Sequence, residues 1–195
     1  MANTKKVSVQ SADTEQITGG NNMAQATDFN VGTGVKAVRR LLITLVDVSD
    51  SETPEWEVVG RGVEESAIEL NPNTETVTDI LGITDTDVTK WEPSQSFEPN
   101  TVKGGSKLNF KLHRIWQNKT PEKLSQFKVM IVYAYIDGGT TGTFEAEVQQ
   151  NCTINITSIG GDAHVDMPIE ITYSNDSVKG TATKADSGWT FTKAA

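Results

Sequence analysis

The sequence predicts a mainly β protein, and three observations support this. Threonine fills 25 of 195 positions and suits a pleated, half-buried surface. Glycine fills 16, a ready supply of turn residues. The apolar residues gather in strand-length runs, above all Arg40–Val48 and Phe127–Ile136, while Leu, Ala and Lys do not dominate as they would in a helical protein. The length suits one domain that builds its own core. A single cysteine, Cys152, excludes an internal disulfide and a metal cluster held by several thiolates.

Charge is unevenly spread along the chain. The net charge is −9, yet residues 41–100 carry fourteen acidic side chains and two basic ones, whereas residues 101–130 carry seven basic and one acidic. So acidic a half argues against phosphate binding, which needs Lys and Arg. It is compatible with a surface that DNA passes without sticking. No apolar run approaches the roughly 20 residues of a membrane span, and no charged-then-apolar leader opens the chain. The expectation is a soluble protein with no membrane partner.

Residues 1–35 are polar and are expected to form a flexible arm, because so few apolar groups cannot offset the entropy of ordering. Residues 36–195 are expected to form the single domain. Gly32-Thr33-Gly34 lacks the Gly-Lys-Ser/Thr of a phosphate loop and reads as a turn. Arg40–Val48 reads as a strand buried on both faces at its centre. Asp50–Pro54 is a loop, and Trp56–Val59 is the next strand. Gly60–Asp79 reads as a long hairpin turning at Asn71-Pro72-Asn73-Thr74. Pro72 would pre-set the first central position, and Asn73 would tolerate the second. Glu64, Glu65, Glu69 and Glu75 are costly to bury, so this hairpin is expected to show water or a partner an acidic and hydroxyl face.

Val88–Trp91 and Ser94–Phe97 read as short extended pieces separated by Pro93. Over Thr101–Gln117, Leu108, Leu112, Ile115 and Trp116 fit a helix stripe, while Leu108, Phe110 and Leu112 also alternate as a strand would. Length and Ser106 as N-cap favour the helix. Its outer face is basic through Lys107, Lys111 and Arg114. Phe127–Ile136 reads as a central strand covered on both faces. Phe144–Thr157 follows, with Phe144, Ala146, Val148, Cys152, Ile154 and Ile156 on one side. A continuous wet face from Glu145 to Thr157 is expected on the other. Val165–Tyr173 returns with alternate residues from Val165 inward. Val178–Thr183 and Trp189–Thr192 form the last hairpin.

The residues offer no constellation for catalysis. There is no Gly-x-Ser-x-Gly elbow and no His-Glu-x-x-His, and His113 and His164 lack ligand spacing. Cys152 lies on an apolar strand face and reads as a small core residue. Asp85-Thr86-Asp87 starts like a calcium loop but lacks its Gly and final Glu. The pairs Glu64/Glu65 and Glu145/Glu147 lack interleaved aromatic residues to hold a sugar. The expectation is a protein that is not an enzyme, with no catalytic residue, metal or cofactor.

Several blocks together carry a resemblance. Gly62-Val63-Glu64-Glu65-Ser66-Ala67-Ile68-Glu69-Leu70-Asn71-Pro72-Asn73-Thr74-Glu75-Thr76 resembles the acidic strand, Asn-Pro turn and Thr/Glu strand of phage major tail proteins, the tail tube subunits. Val88-Thr89-Lys90-Trp91-Glu92-Pro93-Ser94 is similar to the strand that follows there. Lys103-Gly104-Gly105, Ser158-Ile159-Gly160-Gly161-Asp162 and Val178-Lys179-Gly180-Thr181 resemble that family's helix start, C-terminal turn and final hairpin. The likeness runs from about Arg40 to the C-terminus.

The resemblance implies a β-sandwich or partly open barrel with one flanking α-helix. It also implies hexameric rings stacked into a tube through which genome DNA leaves during ejection. Partners would be further copies of the chain, the tape measure, terminator and distal tail proteins, and passing DNA without specific binding. Localisation would be the virion tail, after the host cytoplasm. Glu65, Glu69, Glu145 and Glu147 would line the lumen, where carboxylates repel phosphates within roughly one Debye length of ~8 Å. Lys107, Lys111, Arg114, Asn71, Pro72 and Asn73 would make contacts between subunits. The rival reading is an Ig-like or lectin-like sandwich acting as a binding module. That would require clustered exposed aromatics, whereas Trp56, Trp91, Trp116 and Trp189 fall on different elements.

Overall fold

The computed structural model describes residues 29–194. The arm expected over residues 1–35 thus lies, up to residue 28, outside the described residues. Its last part meets the domain: Phe29 bridges to Ile136, its ring stacks on Tyr135, and the Asn30 N–H donates to the Tyr135 carbonyl at 2.7 Å. Gly32 sits in a turn, its carbonyl accepting from the Val35 N–H at 2.9 Å.

The fold is mainly β with one helix. In chain order the strands are β1 (Leu42–Asp47), β2 (Trp56–Val58), β3 (Ile68–Glu69), β4 (Pro72–Thr78), β5 (Thr84–Trp91) and β6 (Ser94–Phe97). The helix α1 (Lys107–Asn118) follows, then β7 (Phe127–Asp137), β8 (Thr143–Ile156), β9 (Ile169–Thr172), β10 (Ser177–Ala185) and β11 (Gly188–Lys193).

Strands β2-β1-β7-β8-β10-β11 form an antiparallel sheet that curls until β11 touches β2, giving a half-barrel. Leu45, Met130, Val132, Ala146, Val148 and Ala182 make one core cluster, with Trp56, Trp189 and Phe191 packed against it. A second run of pairing, β8-β9-β6-β3, together with α1, supplies the other core. There Val46, Leu112, Phe127, Val129, Ile131, Ile154, Ile169 and Ile171 pack together. Strand β7 feeds both clusters from its two faces, as its near-continuous apolar run predicts.

Strand β8 changes partners halfway. Residues 143–149 pair with β10, and residues 153–156 pair with β9. Between them the register against β7 slips: Val129 faces Gln149, but Phe127 faces Cys152, and Asn151 takes a left-handed φ of 51°. The slip is a bulge, one extra residue that turns the strand. Ala146 and Val148 therefore sit in the first cluster, and Cys152 and Ile154 in the second, although strict alternation would keep all four on one side. The continuous wet face expected from Glu145 to Thr157 does not exist. Gln149 is buried, Glu147 is half-buried, and the faces exchange at the bulge.

The helix forms where expected. The Ser106 hydroxyl oxygen accepts from the Asn109 N–H at 3.1 Å, and Lys119 ends the helix in the left-handed region. Leu108, Leu112 and Ile115 are buried, but Trp116 is 51% exposed. At about 100° per residue Trp116 stands ~80° round from Leu108, on the edge of the stripe. Val165 also departs from expectation and is exposed. It precedes β9, in the loop where Gly160 bridges Asp166.

The expected hairpin is displaced by one element. Asn71-Pro72-Asn73 is not a turn. Strand β3 pairs with β6, and Pro72 faces Trp91 at the base of a β4–β5 hairpin whose turn is Asp79–Gly82. Asn71 takes a φ of 43° and breaks the chain between β3 and β4, its side-chain amide donating to the Glu92 carbonyl at 3.1 Å. Pro72 cannot donate to a ladder, and it stands at the first position of β4, where a strand tolerates it.

Candidate functional site

Strands β4 and β5 form a two-stranded sheet of their own, and every residue in them is exposed. The hairpin is tied to the domain at its base. The Glu92 N–H donates to the Leu70 carbonyl at 3.3 Å, and the Asn175 side chain donates to the Trp91 carbonyl at 2.6 Å. One face is a hydroxyl ladder: Thr76 meets Thr86, and Thr78 meets Thr84, each pair at 3.0 Å. The opposite face sets Glu75 across from Asp87 and Val77 across from Asp85. At the turn, the Asp79 carboxylate accepts from the Leu81 N–H at 2.8 Å and the Ile83 N–H at 2.9 Å, and Gly82 takes the left-handed φ of 79°. The tip presents Ile80, fully exposed, with Leu81 at 78% and Ile83 at 56%.

A basic surface lies on α1. Its start is anchored by Glu57 of β2, whose carboxylate accepts from the Ser106 hydroxyl at 2.6 Å and from the N–H groups of Lys107 and Leu108 at 2.8 and 3.0 Å. A carboxylate there satisfies orphan donors and meets the positive end of the helix dipole. Lys107 pairs with Glu55, while Lys111 pairs with Asp50 at 3.1 Å and donates to the Ser49 carbonyl at 2.9 Å. Arg114 donates to the Gln117 side chain at 3.1 Å and lies 5.9 Å from the Phe110 ring, itself 67% exposed. Lys123 and Lys128 complete the groove between α1 and the β1–β2 loop.

The four carboxylates expected in the lumen occupy two separate places. Glu69 is on β3 and Glu65 in the loop before it, both exposed. Glu145 and Glu147 are on the half of β8 that pairs with β10, opposite Thr181 and Lys179. Two strands, β9 and β6, lie between β8 and β3 in the second run of pairing. Glu145 is exposed, but Glu147 accepts a hydrogen bond from the Tyr133 hydroxyl at 2.7 Å. Burial first, and then that bond, raise the Tyr133 pKa far above the ordinary phenol range. Burial likewise pushes the Cys152 thiol up to about 11, which suits a core residue and not a nucleophile.

Sequence reasoning missed Asp79, Ile80, Leu81 and Ile83, and the contribution of Lys123, Lys128 and Phe110. A signal for the turn was present: Thr76 and Thr78 mirror Thr86 and Thr84 about an Asp-x-x-Gly sequence. Asp85-Thr86-Asp87 lies in a strand, and among the described residues no group of three or more His, Cys, Asp or Glu is placed to hold a metal ion. No helix among the described residues is long and apolar enough to cross a membrane.

No protein-family model matches the chain, and no curated protein sequence matches it. Among solved structures it is similar to the sheath/tube terminator, in the extended state, of the extracellular contractile injection system PVC. The two are 11% identical with a TM-score of 0.47, over 76% of this chain and 99% of that one. So loose a match carries no residue role from that protein to this one.

Proposed function

We propose that the chain is a structural subunit of a phage-type tail, forming hexameric rings that stack into a tube for genome DNA. The observation that supports this best is the β4–β5 hairpin. A lone two-stranded hairpin is marginal in water, and this one also exposes three large aliphatic side chains at its tip. Such an element makes physical sense as half of a contact with another molecule. The blocks that resemble tail tube subunits point to further copies of the same chain.

Glu65, Glu69 and Glu145 are exposed to water. In a ring they would present a wall that repels the phosphate backbone, with Glu147 contributing from its bond to Tyr133. The protein acts as a conduit and not as an enzyme, and it works in the virion tail alongside the tape measure, terminator and distal tail proteins. Electron microscopy of the purified full chain, with light scattering over a concentration series, tests the reading. Rings or hollow tubes are expected. A particle that stays monomeric at every concentration overturns it.

A further inference from the structure

Resting on that reading, we infer that the acidic face and apolar tip of the β4–β5 hairpin seat on the basic α1 groove of a second copy of this chain. The first ground is a charge conflict inside the hairpin. Glu75 and Asp87 are direct cross-strand partners, and Asp85 lies on the same face. Like charges so placed destabilise a strand pair. Lys90 is the only cation within β4 and β5, and Glu92 already pairs with it. A cationic surface brought from outside relieves the conflict.

The second ground is the groove itself. Lys107, Lys111, Arg114, Lys123 and Lys128 line it, against the carboxylates of Asp47 and Asp50. Glu55 and Asp50 hold the first two lysines, while Arg114, Lys123 and Lys128 make no ion pair among the described residues. The third ground is apolar. Phe110 stands exposed beside these cations, as Ile80, Leu81 and Ile83 stand exposed beside the hairpin carboxylates. Each surface thus offers an aliphatic or aromatic centre among charges mostly of one sign, and the prevailing signs are opposite. Hairpin and groove are different patches of one chain, so the contact is head-to-tail. It continues from copy to copy and closes as a ring or grows as a stack.

Two sets of full-length variants test the docking. Mixed under oxidising conditions, the L81C and F110C variants should form a disulfide between positions 81 and 110 of different copies, which neither variant forms alone. Cys152 is buried and does not compete. Charge reversal by E75K/D87K, or by K123E/K128E, should each weaken association about tenfold or more, and mixing the two reversed proteins should restore it. All four positions are exposed, and circular dichroism checks that the variants fold. Wild-type rings, with both reversed variants assembling at wild-type concentrations and no 81–110 bridge, overturn the docking and leave the tail reading standing. A wild-type chain that never associates overturns both.

Discussion

Gln95 is a buried amide where three elements meet. Its Oε1 accepts from the Thr44 hydroxyl at 2.9 Å and the Tyr173 hydroxyl at 2.6 Å, and its Nε2 donates to the Ser66 hydroxyl at 3.1 Å. Gln95→Leu keeps the volume roughly but strands two buried hydroxyl donors. The expected loss is about 2–4 kcal/mol in urea unfolding, and the triple change T44V/Q95L/Y173F should lose less than the single one. Glu57 is a second such residue. Glu57→Ala releases two helix N–H groups and the Ser106 hydroxyl together, and about 1–2 kcal/mol should disappear from the denaturant midpoint. The titrations of Cys152, Tyr133 and Tyr173 set the alkaline limit, since burial raises all three. The unfolded chain releases those protons first, so stability is full below about pH 8.5 and falls as pH rises toward the folded values. Tyr133→Phe should flatten that fall, measured as melting temperature against pH.

At the scale of elements, most of the fold was legible because periodicity reports burial directly. β1, β7, α1 and the β10–β11 hairpin follow from their apolar patterns and from Ser106. Two features escaped for a local reason. The Asn-Pro-Asn sequence at 71–73 has the chemistry of a turn, yet the same left-handed Asn71 also serves as a break between strands of different sheets. The choice between them depends on Ser94–Phe97 pairing with β3, which is a tertiary fact. The bulge in β8 was hidden because the apolar residues on either side of Gln149-Gln150-Asn151 all fall at even positions, as an unbroken strand would place them. Of the candidate site, the basic helix face was readable from spacing. The aliphatic residues of the hairpin tip carry no periodic signature, and only the mirrored Thr pairs and the Asp-x-x-Gly sequence marked the turn. Asp79 gives this element its own prediction. Asp79→Ala removes the acceptor for two N–H groups at the tip and should speed proteolysis between residues 78 and 84 several-fold. The melting temperature of the domain should stay within about 2 °C, because the hairpin is exposed along its whole length.

For the whole molecule, two cores share β7 and β8, so the half-barrel and the helix layer should unfold together in one transition. The hairpin stands outside that cooperative unit. Replacing residues 74–88 by a short Gly-Asn turn should leave the domain's melting temperature nearly unchanged and abolish the proposed rings and tubes in electron micrographs. Salt distinguishes the contributions to assembly: raising ionic strength should weaken association through the carboxylates and lysines, while the apolar tip persists.

Asp79 and Asp85 flank the apolar tip on either side, and Glu75 and Asp87 continue the charge down the strands. Short apolar segments on an unpaired strand edge are where chains adhere indiscriminately, and flanking charges hold such segments apart. These carboxylates therefore act as gatekeepers for newly made chains. Neutralising them with asparagine would produce a protein that folds normally yet precipitates in storage before it meets its proper partner.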